Sequence, residues 1–221
     1  MSSETPVTES FLKRHIELII AIMLGLIAVV TAYASFQSAL YDGQMTQKYT
    51  VGSNLATEAE SMYLEGNQQY TQDGQLIVRL RELQLDAAAG DPLAQEKYDT
   101  IFFESVSPEL EAAIAWADEQ NASDPDFYYS PLNSEDYQAA LFGGYAEKSD
   151  LADATIAEGD EANGLSDRQT LNTVLMALSL FLLGIAAIVR NYLVKVVLSS
   201  VAGAIFLVAL VLTLTIPALW L

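Results

Sequence analysis

The sequence predicts an all-α membrane protein: three transmembrane helices, with an acidic extracytoplasmic helical bundle inserted between the first and the second. Three observations predict it. Apolar stretches long enough for a hydrocarbon core of roughly 30 Å occur at 16–36, 170–190 and 196–217. Nearly all the charge lies between the first two of these. Within 37–169 stand 26 of the 29 Asp and Glu but only six of the ten Lys and Arg, a net of −20. The same stretch is rich in alanine, glutamate, glutamine and leucine, without strand alternation, which reads as helix.

The first span, 16–36, carries no charged side chain after Glu17 and follows Lys13, Arg14 and His15. The second span, 170–190, is joined to the third, 196–217, by a short loop at 191–195, with Arg190 and Lys195 flanking it. Two crossings return the chain to the side of Lys13 and Arg14, so both basic flanks share one face. The positive-inside rule makes that face cytoplasmic. Residues 1–15 and 191–195 are then expected inside, and 37–169 and 218–221 outside, in a multi-pass protein of the cell membrane. Trp220 suits an interfacial anchor.

Ala32-Tyr33-Ala34 resembles a signal-peptide cleavage site, but the apolar run is longer than the usual ~7–15 residues, so the first span is expected to be retained. The spans hold no acidic or basic side chain beyond Glu17 and Arg190 at their edges, which argues against a proton-coupled pump or transporter. Small residues recur at helical spacing in Ala21/Gly25, Ala28/Ala32 and Ser199/Gly203, and intrachain helix packing is favoured over a dimer face as their role.

In the acidic stretch the first span is expected to continue as a helix to about Glu65, interrupted or bent at Asp42-Gly43. A helix over 68–89 follows, with Leu76, Leu80, Leu83 and Ala87 on one face and Gly90 closing it. A short helix over 92–104 turns Tyr98, Ile101 and Phe102 inward. Ser107-Pro108 starts the next, with Glu109 and Glu111 in its first turn and Leu110, Ile114 and Ala117 as its stripe. Residues 121–133 read as a loop, and Ser134 caps a return helix to about Ala162. Asn163-Gly164 breaks it, and Ser166 with Gln169 restarts the second span at capping-box spacing.

Four groups of residues then point to a family. They are Ser38-Ala39-Leu40-Tyr41-Asp42-Gly43 after a first span; Tyr98 and Phe102 ahead of Pro108-Glu109-Leu110 and Ala113 to Trp116; Tyr129-Ser130-Pro131 with Tyr137; and Ala162-Asn163 with Ser166-Asp167, Leu171 and Thr173-Val174-Leu175. Over 36–185 the chain resembles an uncharacterised family of prokaryotic three-span membrane proteins with an extracytoplasmic helical domain. It departs from the family in having Tyr41 where Trp is usual and Leu110 where Phe is usual, both keeping an apolar body. The resemblance implies the three-span topology, and implies no activity, cofactor or site residue.

Composition narrows the chemistry. The acidic surface repels nucleic acid and anionic lipid heads and attracts cations. Its scarcity of lysine fits work in high salt, and an ordinary acidic outer domain explains it equally well. Without cysteine there is no disulfide, zinc-thiolate or iron–sulfur site. His15, the single histidine, lies on the cytoplasmic flank and can join no outer triad. Gly143-Gly144 reads as a kink or a close contact, and no cofactor motif occurs.

Candidate site residues are therefore few. Asp124 and Asp126, flanking Pro125, can offer oxygens to a hard cation, though turn formation explains them too. Phe127, Tyr128 and Tyr129 suit either a partner-binding edge at the domain tip or a plug of its open end. Asn121-Ala122-Ser123 is a glycosylation sequon, with Asn121 the acceptor. The leading functional expectation is a non-catalytic membrane protein whose outer domain mediates homo-oligomerisation or binds another membrane protein. One alternative is a subunit of an oligomeric cation pore, with Ser35, Gln37 and Ser38 at its mouth and the acidic surface as vestibule. Another is an extracytoplasmic sensor acting through a partner, and an enzyme is the least favoured.

Overall fold

The computed structural model describes residues 11–220, with side chains from His15 onward. The first ten residues of the expected cytoplasmic segment, the side chains of Lys13 and Arg14, and Leu221 lie outside the described residues. Among those described, five α-helices follow one another and no strand occurs: α1 Phe11–Ala88, α2 Ala94–Ser105, α3 Pro108–Ser123, α4 Glu135–Ile188 and α5 Tyr192–Leu214, with a 3-10 turn at Pro131–Asn133. Three of them, α1, α4 and α5, contain apolar windows long enough to cross a membrane.

Two helices are longer than expected. Neither Asp42-Gly43 nor the start of the 68–89 segment interrupts α1, and Asn163-Gly164 lies inside α4. A glycine in a helix interior costs only about 1 kcal/mol, less than tertiary packing returns. Ala162 is 3 % exposed and Ser166 2 % exposed, so α4 is held on both sides of Asn163-Gly164. Ser166 does not start a new helix: its Oγ lies within hydrogen-bonding distance of Ser38 O (3.1 Å) and Asp42 Oδ1 (2.7 Å) on α1.

The described chain divides into two packed units, one comprising the residues up to Tyr49 and from Ala157 onward, the other Thr50–Ile156. In the first, here the terminal unit, Ile20, Ile27, Ala34 and Tyr41 of α1 are buried at intervals of seven. The first three pack with Met176, Leu183 and Ala186 of α4 and Ala202, Phe206 and Ala209 of α5, whereas Tyr41 packs with Ala162 of α4 and Ile216. A seven-residue interval is the signature of helices packed along a left-handed seam. Of the small residues in this unit, a Cβ on Gly203 would lie 3.3 Å from Met23 Cε, whereas one on Gly25 would meet nothing within 4 Å.

The second, central unit repeats the interval with Gly52, Ala59, Gly66, Asp73 and Leu80 along α1. Glycine is needed there because α4 lies close: a Cβ on Gly52 would come within 2.6 Å of Ile156 Cγ1, and one on Gly66 within 2.8 Å of Leu141 O. Leu110, Ala113 and Tyr137 form the buried core, with Leu76, Ile77 and Leu132 packed against it. Lys148 of α4 pairs with Glu58 of α1 at the surface.

The local signals that punctuate this unit act as the sequence suggests. Gly90 (φ +98°) takes the left-handed conformation that ends α1, with its N–H donating to Ala87 O at 3.0 Å. Ser107 caps α3, its Oγ accepting from Leu110 N at 3.1 Å, with Pro108 as the first helical residue. Two boundaries differ. Pro92-Leu93 form a turn ahead of α2, whose first residue is Ala94, and α3 runs to Ser123, so Asn121 is helical.

Candidate functional site

The segment between α3 and α4 is organised by Asn121. Its Nδ2 donates to Ala117 O (2.7 Å) and Tyr129 O (2.9 Å), and its Oδ1 accepts from Tyr129 N (2.8 Å). The expectation of an exposed loop position is therefore corrected: Asn121 is half-buried in the last turn of α3 with both amide hydrogens engaged. A glycan on Nδ2 would displace one of them. Replacing Asn121 with alanine should cost about 1–3 kcal/mol by leaving the backbone of Tyr129 unpartnered, and should expose this segment to proteolysis at lower denaturant.

Pinned by Asn121, Tyr129 turns its ring edge-on to Trp116 (6.1 Å) and Phe127 (4.8 Å). Its hydroxyl donates to Asp124 Oδ2 at 3.2 Å. Asp124 is thus engaged in the turn and Asp126 is exposed; among the described residues no group of three His, Cys, Asp or Glu is placed to hold a metal ion. The aromatic trio divides: Tyr129 is half-buried, while Phe127 and Tyr128 are exposed.

This segment, α1, α2 and α3 enclose a recess of about 50 Å³, lined among others by Arg81, Gln84, Tyr98, Asp118, Tyr128 and Tyr129. Arg81, Asn121 and Tyr128 also line an adjoining groove of about 420 Å³, with Pro125, Asp126 and Phe127. Arg81 reaches Gln84 Oε1 only at 3.4 Å and forms no ion pair among the described residues. Its neighbour Arg79 pairs with Glu82 at 3.1 Å. Loss of water around the ring raises the Tyr98 hydroxyl pKa; a hydrogen bond from Gln84 pulls it back, the charges of Asp118 and Asp99 push it up again, and Arg81 lowers it least. Tyr129 is raised by loss of water and then by Asp124. The cleft offers a guanidinium, carboxylates, phenols and amides, which is the equipment of recognition by charge and hydrogen bonding.

The residues expected at a pore mouth lie in the terminal unit. Ser35 is exposed, but Gln37 (2 % exposed) and Ser38 (7 %) are turned into the chain. Ser38 Oγ lies 2.9 Å from both Ser166 Oγ and Thr170 Oγ1. Gln37 clamps the segment after α5: its Nε2 donates to Leu219 O (3.1 Å) and its Oε1 accepts from Leu219 N (2.8 Å). Tyr41 adds a hydrogen bond from its hydroxyl to Pro217 O at 2.6 Å. Gln37→Leu should release this segment, at a cost of about 2 kcal/mol, and make it a faster substrate for carboxypeptidase. At the other end of the spans Lys195, 7 % exposed, donates to Glu17 Oε1 at 3.1 Å.

Sequence reasoning missed Arg81, Tyr98 and Asp118 as neighbours. The one local signal was that Arg81 is among only four basic residues of Thr50–Ile156. Comparison of the chain with protein-family models, with curated proteins and with solved structures finds no match in any of the three.

Proposed function

We propose that the chain is a non-catalytic integral membrane protein whose outer helical domain serves recognition: it assembles with further copies or binds a partner. On this reading the N-terminus is cytoplasmic, residues 37–169 stand outside as an acidic helical domain, and the C-terminus is outside. Lys13, Arg14, Arg190 and Lys195 support that orientation, since all four flank the same face after two crossings. It is also the topology implied by the resemblance to uncharacterised three-span proteins.

The observation that carries the reading is the make-up of Thr50–Ile156: 21 Asp and Glu against four Lys and Arg, around a helical core of its own, in a chain that otherwise consists largely of membrane helices. Such a unit is dispensable for anchoring and is equipped for contact with something in water. Light scattering on the detergent-solubilised protein, combined with cross-linking in native membranes, tests it. A defined oligomer or a stoichiometric partner is expected. A monodisperse monomer that cross-links to nothing would overturn the proposal. One observation, the cleft around Arg81, favours the second reading, a sensor acting through a partner.

A further inference from the structure

We propose that the Arg81 cleft binds a small zwitterion carrying one carboxylate and one ammonium group, a free amino acid or its N-methylated betaine counterpart. The inference rests on reading the central unit as a recognition domain and names what one of its sites takes.

Arg81 is the starting point. The unit has 21 carboxylates for four basic side chains, and Arg79 takes one of them, Glu82. Arg81 takes none among the described residues and lines both the recess and the groove. Its planar array of N–H donors is matched to a carboxylate and, among the described residues, is engaged only by the 3.4 Å contact to Gln84 Oε1. A simple anion is a poor occupant, because a unit with 21 acidic and four basic residues repels it. A simple cation is also a poor occupant, because it meets Arg81. A molecule with both charges and no net charge escapes both objections.

The remaining lining supplies the other half. Asp118 shares the recess with Arg81, and Asp126 shares the groove. Tyr98, Tyr128 and Tyr129 add aromatic rings, which attract an ammonium group and tolerate methylation of it. The recess, about 50 Å³, admits a head group only, whereas the groove of about 420 Å³ lies within the roughly 300–1,000 Å³ of small-molecule sites. Tyr129 is fixed in advance by Asn121, so one wall needs no ordering on binding.

The test is calorimetric titration of the full chain in lipid nanodiscs with four probes. L-Leucine and trimethylglycine are zwitterions with an unmethylated and a fully methylated nitrogen. Leucinamide lacks the carboxylate, and N-acetyl-leucine lacks the ammonium. At least one zwitterion should bind, and which of the two does so identifies the nitrogen chemistry. Leucinamide and N-acetyl-leucine should bind at least tenfold more weakly. Arg81→Gln and Asp118→Asn should each raise Kd at least tenfold. Both side chains are exposed, so the variants should keep the wild-type helical circular dichroism and unfolding midpoint. Absence of binding by either zwitterion, equal binding of the singly charged probes, or unchanged affinity in Arg81→Gln would overturn the proposal. Particle mass recorded on the same samples separates the two readings: an intact oligomer that binds no zwitterion contradicts this inference alone, and a monomer that binds one contradicts assembly alone.

Discussion

Replacing Gly66 with leucine should destabilise the central unit by about 3 kcal/mol, the upper part of the usual range for overpacking. Even a single added carbon at Gly66 would lie 2.8 Å from Leu141 O and 2.9 Å from Phe142 Cε1. The first of these is backbone, which cannot swing aside, so α1 and α4 must separate. Separation would also pull Tyr63 away from Phe142 and Tyr145, whose rings lie 5.9 and 5.1 Å from it. Gly143, in the same helix as Phe142, makes the control: a Cβ there meets nothing within 4 Å. Gly143→Ala should raise stability by about 0.5 kcal/mol, because alanine loses less backbone entropy in a helix. Urea titration of the full chain in detergent, followed by circular dichroism, reads both. Two substitutions of the same sign would contradict the packing described.

The second large effect concerns Asp73, a carboxylate only 2 % exposed on the buried seam of α1. It accepts from the Tyr137 hydroxyl at 2.6 Å and from Gln69 Nε2 at 2.8 Å. Tyr137→Phe removes one donor and leaves the carboxylate buried, at a cost of about 2–3 kcal/mol. Asp73→Leu strands the Tyr137 hydroxyl instead, at about 1–3 kcal/mol. The double variant Asp73→Leu/Tyr137→Phe removes both partners together and should be more stable than the sum of the singles by about 2 kcal/mol. Strict additivity would deny the contact.

The same contact carries a pH dependence. Burial, followed by the Asp73 hydrogen bond and charge, raises Tyr137 well above its ordinary value of 10.0. Below that value folded and unfolded chains both keep the phenolic proton, so the contribution is complete. Above about pH 10 the unfolded chain releases it first, and stability falls. Tyr49, Tyr98 and Tyr129 are shifted in the same direction. The unfolding midpoint should hold level from neutral pH and drop above about 10, and a rise there would contradict the assignment.

The three apolar helices were legible because hydrocarbon imposes a length and a composition that the sequence displays directly. Gly90 and Ser107-Pro108 were legible because caps act within a few residues. What escaped was long-range. Gly43 and Asn163-Gly164 carry local signals for a break, and the packing that overrides them comes from other helices: Ser166 meets Ser38 and Asp42, more than 120 positions away. Asp73 gave no local hint of its partner Tyr137, 64 positions on. A carboxylate at the same interval as Gly52, Ala59, Gly66 and Leu80 was nonetheless a sign, since an unpaired charge on that line would not be tolerated. Between α3 and α4, Phe127 to Tyr129 stood out by composition. The role of Asn121 as their clamp did not, because a sequon and a helix-terminal amide look alike in sequence.

The membrane orientation is the claim on which the functional reading stands, and the chain's lack of cysteine makes it directly measurable. Two single-cysteine variants, Ser3→Cys and Ala122→Cys, would be treated in intact cells with a membrane-impermeant maleimide. The account predicts labelling of Ala122→Cys at once and of Ser3→Cys only after permeabilisation. The reverse pattern, or release of either variant from membranes by an alkaline carbonate wash, would contradict it.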